Sequence, residues 1–361
     1  MTASSSLTLG TAVDWRFAAT VGQRLARPGP AASDYTRRQV IEELTSAAAK
    51  AEPPVRDVTG LITDGLNKGD VPAARIVDRV QWIGAAAESM RVMTNGSDKP
   101  RGFFTGRITG AQTGAVLAFV SSGILGQYDP FARSREATKE GSLLLVYPNV
   151  IAVERQLRID PSDFRLWVCL HEVTHRVQFT ANPWLSDYMS QALGLLTQDA
   201  GEDIREVATR LAEFVRHRAD GADRSVASDG TSSGILGLVR AVQSEPQREA
   251  LDQLLVLGTL LEGHADHVMD AVGPVVVPSV ATIRRRFDER RHRKQPPLQR
   301  LLRALLGLDA KLSQYTRGKA FVDHVVGKVG MQRFNTVWSG PETLPLPAEI
   351  EDPQRWIDRV L

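Results

Sequence analysis

Residues 166–179 read LWVCLHEVTHRVQF, an apolar run interrupted by His171, Glu172 and His175 in the order H-E-x-x-H. Burying three such groups is costly unless they are paired or hold an ion. Residues four apart on a helix lie one above the other on the same face. On a helix, therefore, His171 and His175 can present two ring nitrogens to one ion at about 2.0–2.1 Å. Glu172 is turned about 100° from His171. It can sit beside the ion without ligating it, placed to take a proton from a water that the metal activates. The competing reading is two core histidines and an incidental glutamate. The local sequence favours the metal motif, because the helix that the motif requires is well signalled. Asp160 is a natural N-cap, Pro161 suits the first helical position, and Asp163 complements the dipole. Asn182-Pro183 supplies the stop.

The rest of the chain predicts a mainly α fold with a small β-sheet. Apolar residues recur at helical spacing in 38–52 and 77–93, with Gly and Pro punctuating at 28–33 and 52–57. AVLAFVSSG (115–123) and SLLLVYPNV (142–150) suit strands or buried segments, and Tyr128-Asp129-Pro130 between them reads as a turn. Further helices are expected over about 185–219, from Ser244 to Gly273-Pro274, and through 284–294 and 297–312. The Gly/Ser-rich stretch 221–234 reads as a loop. Strands and helices flank the same motif, so residues 1–361 read as one composite domain. It has a helical part over 1–100, a core over 101–330 and a tail over 331–361 packed on that core.

Composition removes several function classes. The 361 residues carry 44 basic and 42 acidic side chains, a formal net charge of +2, so no global field favours nucleic acid or anionic membranes. Cys169 is the single cysteine, which excludes an internal disulfide and fits a reducing, cytoplasmic setting. No basic-then-apolar leader opens the sequence, and no apolar run approaches a membrane span.

A catalytic zinc needs a third protein ligand and an open position. The form with a third histidine shortly after the motif is excluded, since Gln178 holds its glycine position. Two glutamates compete for the place. Glu202, with Glu206 four residues on, lies in the polar run TQDAGEDIREVA, where an exposed carboxylate needs no explanation. Glu262 interrupts the apolar VLGTLLEGHADHVMD, where a carboxylate is expensive to bury without a cation. Glu262 is therefore favoured, and Asp266 on its face could accept the second N–H of a ligating histidine.

HEVTH and TLLEGHADHVMD, with GQYDPF, LLLVYPNV and QFTANPWL, resemble the actinobacterial zincin-like metallopeptidases of type 2. Some members of that family are linked to deazaflavin (coenzyme F420) biosynthesis. The resemblance runs from about Asp14 to the C-terminus. It implies a zincin-like fold around the H-E-x-x-H helix, one zinc ion and peptidase activity. By residue it implies His171 and His175 as ligands, Glu172 as general base and Glu262 as third ligand. Glu262 lies 87 positions after His175, farther than in better-known zincins that use a glutamate.

Other residues are weighed against this centre. SLLLVYPNV is the expected edge strand for pairing with a substrate backbone, with a plain core strand as the alternative. Tyr315, His267, His264 and His324 are candidate transition-state donors, Tyr315 and His267 ahead of the others. Cys169 faces away from the metal and reads as a buried thiol. The run RRRFDERRHRK (284–294) reads as a solvated helix face anchored by Phe287. The expected function is zinc-dependent hydrolysis of peptide or protein substrates. Two other readings compete with it. One is a non-catalytic zinc protein, its site closed by His267. The other is an anion- or nucleic-acid-binding module built on 284–294, with nucleic acid the less favoured partner.

Overall fold

A computed structural model describes residues 12–61, 72–94, 96, 103–133, 140–197, 245–291 and 308–361. The helices in chain order are α1 (Trp15–Leu25), α2 (Asp34–Thr59), α3 (Arg79–Met93), α4 (Phe103–Val120), α5 (Tyr147–Leu157) and α6 (Pro161–Ala181). They continue as α7 (Trp184–Thr197), α8 (Glu245–Val276), α9 (Val280–Arg291), α10 (Leu308–Phe334), α11 (Pro347–Glu351) and α12 (Pro353–Val360). Three strands, β1 (Arg75–Val77), β2 (Gly126–Arg133) and β3 (Glu140–Val146), form one sheet in the order β1-β3-β2. The architecture is mainly helical with a small sheet, as expected. No described helix is long and apolar enough to cross a membrane.

Helix α6 forms where its end signals place it. The Asp160 carboxylate accepts from the Asp163 amide at 3.0 Å, Pro161 opens the first turn, and Asn182 is the C-cap. The helix is buried on most of its circumference, with Phe164, Val168, Cys169, Leu170, Val173 and Val177 all inside the main core. Two of its arginines are buried with carboxylate partners. Arg165 meets Glu154 at 2.9 Å and also Glu43, while Arg176 meets Glu52. These partners remove the cost of burying charge and fix α2 and α5 against α6. Cys169 is fully buried, and burial pushes its thiol well above the usual range.

Alternation sorts the sheet onto two layers. Leu143 and Leu145 of β3 join the main core with α2 and α6, while Leu144 and Val146 join a second core with α3 and α4. β3 pairs with β1 in parallel and with β2 antiparallel, so it is the central strand. That corrects the expectation of SLLLVYPNV as the edge. Residues 142–146 are strand, but Tyr147-Pro148 starts α5, where proline suits the first turn. The edge beside α6 is instead β2, which contains Tyr128-Asp129-Pro130 in extended form rather than as a turn. Pro130 is tolerated there because an edge strand leaves one side of its backbone unpaired.

Two further expectations change. Residues 115–120 complete α4, since AVLAFV also carries the period of a helix buried on one side. Helix α2 runs through Pro53-Pro54, where the sequence suggested a break. Buried Ala51, Val55 and Thr59 on either side, with the Glu52 ion pairs to Arg56 and Arg176, hold that turn against its lost amide bonds. The expected helix over 185–219 is seen as Trp184–Thr197, and its remainder, with 221–234, lies outside the described residues.

Helix α8 is positioned by a near-contact of backbones. A Cβ on Gly318 of α10 would collide with the Thr259 carbonyl of α8, and one on Gly263 would collide with the Gly318 backbone. Small residues at both points let the two helices approach far closer than ordinary side chains allow. Gly263 follows Glu262 directly, so this approach sets where the Glu262 side chain leaves the helix. Gly318→Val is expected to lower unfolding stability by about 1–3 kcal/mol through overpacking. Denaturant unfolding checks this, and a neutral result would mean that the helices slide apart freely.

Candidate metal centre

Helix α6 carries His171 and His175 one turn apart, with ring centroids 4.7 Å apart and planes nearly perpendicular. Helix α8 crosses them and brings Glu262 over both. His171 Nε2 lies 3.2 Å from His175 Nε2 and 3.2 Å from Glu262 Oε2, while His175 Nε2 lies 3.7 Å from that same oxygen. An ion held tetrahedrally at about 2.0–2.1 Å from such ligands separates them by roughly 3.3 Å. The three atoms thus stand at the spacing of a shared ion, and no protein group needs to move far to hold one. Among the described residues this is the one group of three metal-ligating side chains found close enough to share a cation.

The electrostatics point the same way. Burial works against a charged His171, yet the hydrogen bond and charge of Glu262 outweigh it and raise its pKa to about 9. Burial likewise opposes the Glu262 carboxylate, and the bonds from His171 and His175 hold it well below its ordinary value. The pocket therefore favours a positive charge at its centre.

His175 is oriented by Gln178, one turn further along the same face. Gln178 Nε2 lies 3.0 Å from the Leu261 carbonyl, which can only accept, so the amide orientation follows. Gln178 Oε1 then accepts from His175 Nδ1 at 2.8 Å, which leaves the Nε2 lone pair of His175 turned toward His171 and Glu262. The second amide proton of Gln178 goes to His264 Nδ1 at 2.9 Å. His264 is fully buried between Phe334 and Trp338, and burial pushes its pKa down to about 3. One glutamine therefore ties the H-E-x-x-H helix to the backbone beside the third acid. The sequence carried a signal for it. Gln178 is a polar residue on the His171/His175 face of an apolar helix, seven and three positions on.

Glu172 is 7% exposed and lies where α6 meets the start of β2. A Cβ at Gly126 would stand 2.6 Å from Glu172 Cγ, so a glycine is required for the glutamate to reach the cavity. That start is itself anchored by Asn149, whose Nδ2 donates to the Ser121 and Ile124 carbonyls at 2.8 and 2.5 Å. A cavity of about 650 Å³ opens over the cluster and is lined by His171, Glu172, His175 and Glu262 together with residues 126–131 of β2.

The remaining candidates differ in where they stand. Asp266 lines the cavity but is paired with Arg284 at 3.3 Å, and the partner found for His175 is Gln178. His267 bonds Asp323 of α10 at 2.7 Å, away from the cluster. His324 is exposed on α10 and His264 is sealed in the core, and neither lines the cavity. Tyr315 falls on a part of α10 whose side chains lie outside the described ones, and Glu202 and Glu206 lie outside the described residues altogether.

Two outcomes follow from the His175–Gln178–His264 chain. Gln178→Leu leaves His175 Nδ1 without its acceptor and is expected to weaken metal binding at the cluster roughly 10- to 100-fold, read by chelator competition. Wild-type affinity in that variant would show that the bond orients nothing. His264, with a folded pKa near 3 against 6.5 unfolded, leaves the unfolded chain binding more protons between those values. Stability is expected to fall as pH drops below about 6.5, by up to about 1.4 kcal/mol per unit from this group. Urea titrations from pH 7 to 4 test it, with His264→Phe expected to flatten the slope.

No curated protein matches the chain. Among solved structures, a "putative hydrolase with a novel fold" from Chloroflexus aurantiacus is similar over 96% of this chain and 98% of its own, at 28% identity and a TM-score of 0.64. A family model of zincin-like metallopeptidases matches residues 13–357, nearly the whole length, and carries the H-E-x-x-H helix and Glu262 within its span. The chain belongs to the zincin-like metallopeptidase family.

Proposed function

We propose that this chain is a zinc-dependent peptidase in which His171, His175 and Glu262 hold one zinc ion and Glu172 is the general base. The observation that carries the reading is the meeting of three ligand atoms within 3.2–3.7 Å under a cavity whose wall also holds Glu172. The chemistry zinc supplies when bound is Lewis acidity, which lowers the pKa of water toward 7 and polarises a carbonyl. Glu172 takes the proton released from the attacking water and returns it to the leaving amine. Gln178 keeps His175 in the tautomer that offers Nε2. The outer edge of β2 can take an extended substrate backbone by strand addition, which is the mode by which a peptide is held without relying on its side chains.

The reading as a closed, non-catalytic zinc site gains nothing from His267, since that residue is committed to Asp323. Part of the basic helix is used inside the molecule. Arg284 pairs with Asp266 and Asp270, Arg286 donates to the carbonyls at the end of α5, Arg285 faces Glu289, and Phe287 packs on Trp167. These contacts favour a structural role for α9, and residues 292–294 of the run lie outside the described ones.

Metal content by mass spectrometry, paired with a peptide-cleavage assay, tests the assignment. Wild type, Glu172→Gln and Glu202→Ala are expected to retain near-stoichiometric zinc, while His175→Ala and Glu262→Ala lose it. Glu172→Gln should cut hydrolysis by roughly 10²- to 10⁴-fold. Zinc lost with Glu202 but kept without Glu262 would move the third ligand, and full activity in Glu172→Gln would remove its role as base.

A further inference from the structure

The cavity does not stop at the metal cluster. It wraps over the edge of β2 and continues on the other face of the sheet, where Ala86, Met90 and Met93 of α3 face Val116 and Val120 of α4. The strand shows which residues face which side. Gln127 and Asp129 turn to α3, accepting from Trp82 Nε1 at 3.0 Å and from Ser89 Oγ at 2.7 Å. Gly126 and Tyr128 turn to α6, against Glu172 and Phe179. A peptide added to the outer edge of β2 continues this alternation. A residue turned toward the metal cluster then has both of its neighbours turned toward α3 and α4.

The wall that receives those neighbours is apolar. Among the described residues lining it, Asp129 holds the one carboxylate, and that group is already engaged. Its Oδ1 takes both the Ser89 hydroxyl and the Phe131 amide, and burial raises its pKa. No described lysine or arginine lines the cavity at all. Methionines suit such a wall because unbranched, polarizable side chains adapt to differently shaped apolar partners.

We infer that the α3–α4 limb selects the substrate: an extended peptide carrying a large apolar side chain, of the Leu, Met or Phe class, next to the residue at the metal cluster. This rests on the peptidase reading, and it adds a substrate class to it. A charged side chain at that position loses hydration against the methionines and meets no described lysine or arginine lining the cavity, so it is disfavoured. The limb tolerates variation in apolar shape, so discrimination runs between apolar and charged residues more than among apolar ones.

The test uses the full chain loaded with zinc and internally quenched peptides that differ at one scanned position, Phe, Leu or Met against Glu. Cleavage of the apolar series is expected to exceed that of the Glu series roughly 10- to 100-fold in kcat/KM. Met90→Lys and Val116→Lys should each shift the ratio toward Glu at least tenfold. Both sites are partly open, at 38% and 41% exposure, so the variants are expected to fold, with zinc content as the check. Binding of the same labelled peptides to zinc-loaded Glu172→Gln gives a second readout independent of turnover. Equal cleavage of both series, with ratios unmoved by the lysines, overturns the inference and leaves the peptidase reading standing. If no peptide is cleaved, that reading falls and binding decides the pocket. Apolar preference reversed by the lysines supports it, and equal or absent binding overturns it.

Discussion

Everything at this site depends on one crossing, where α8 passes over α6 closely enough for Glu262 to reach two histidines 87 and 91 positions earlier. Helix geometry alone fixes His171 against His175. Nothing local fixes Glu262, which belongs to a separate helix and must be carried to within 3.2 Å by packing. Three features do the carrying. Leu257, Leu260 and Val268 bury the inner face of α8 in the main core, Gly263 and Gly318 bring α10 against its back, and Gln178 bonds the Leu261 carbonyl from α6. The first supplies most of the free energy, since apolar burial scales with area. The other two supply position, which burial by itself does not.

The same logic explains why the polar groups around the cluster form chains rather than isolated pairs. A buried imidazole with one nitrogen committed to a ligand needs a defined partner for the other, or its tautomer is free to change. Gln178 provides that partner for His175 and passes the constraint to His264, whose neutral ring is stacked on Phe334. A second chain starts at the cavity wall with Asp266 and runs through Arg284 and Asp270 to Lys319 and Asp323, closing on His267. It pairs the acidic groups Asp266 and Asp270 of α8 with basic partners. The basic run 284–294, which reads from the sequence as a solvated face, thus spends at least Arg284 and Arg286 on internal partners.

How much of this could be read beforehand differs by residue. The limits of α6 were legible because its cap, its first-turn proline and its stop are local chemistry. The choice of Glu262 over Glu202 was readable as a physical preference, because a carboxylate in an apolar helix needs a cation. The structure places Glu262 at the histidines, while Glu202 lies outside the described residues. The sheet was less legible. Leu143, Leu144 and Leu145 are buried on both faces of a central strand, and such a run has no alternation to reveal its place. The true edge, GQYDPFAR, carries Pro130 and a buried Asp129, which mimic a turn in one dimension. Gln178 stood on the right face but only its bonds to Leu261 and His264, 83 and 86 residues away, show its use.

The exchange of roles between the two strands has a chemical consequence. With β3 in the centre, its backbone bonds are spent on β1 and β2, and its side chains serve two cores. The edge next to Glu172 is then a strand whose own composition is permissive. Gly126 makes room for the glutamate, Pro130 donates no amide to a neighbour, and Asp129 holds the irregular register toward Arg133 by accepting the Phe131 amide. A proline and a bulge discourage indiscriminate pairing along the whole edge. The part left regular is the short stretch 126–128, which lies directly against the H-E-x-x-H helix. An extended chain pairing there would be confined to a few residues, those beside His171, Glu172, His175 and Glu262.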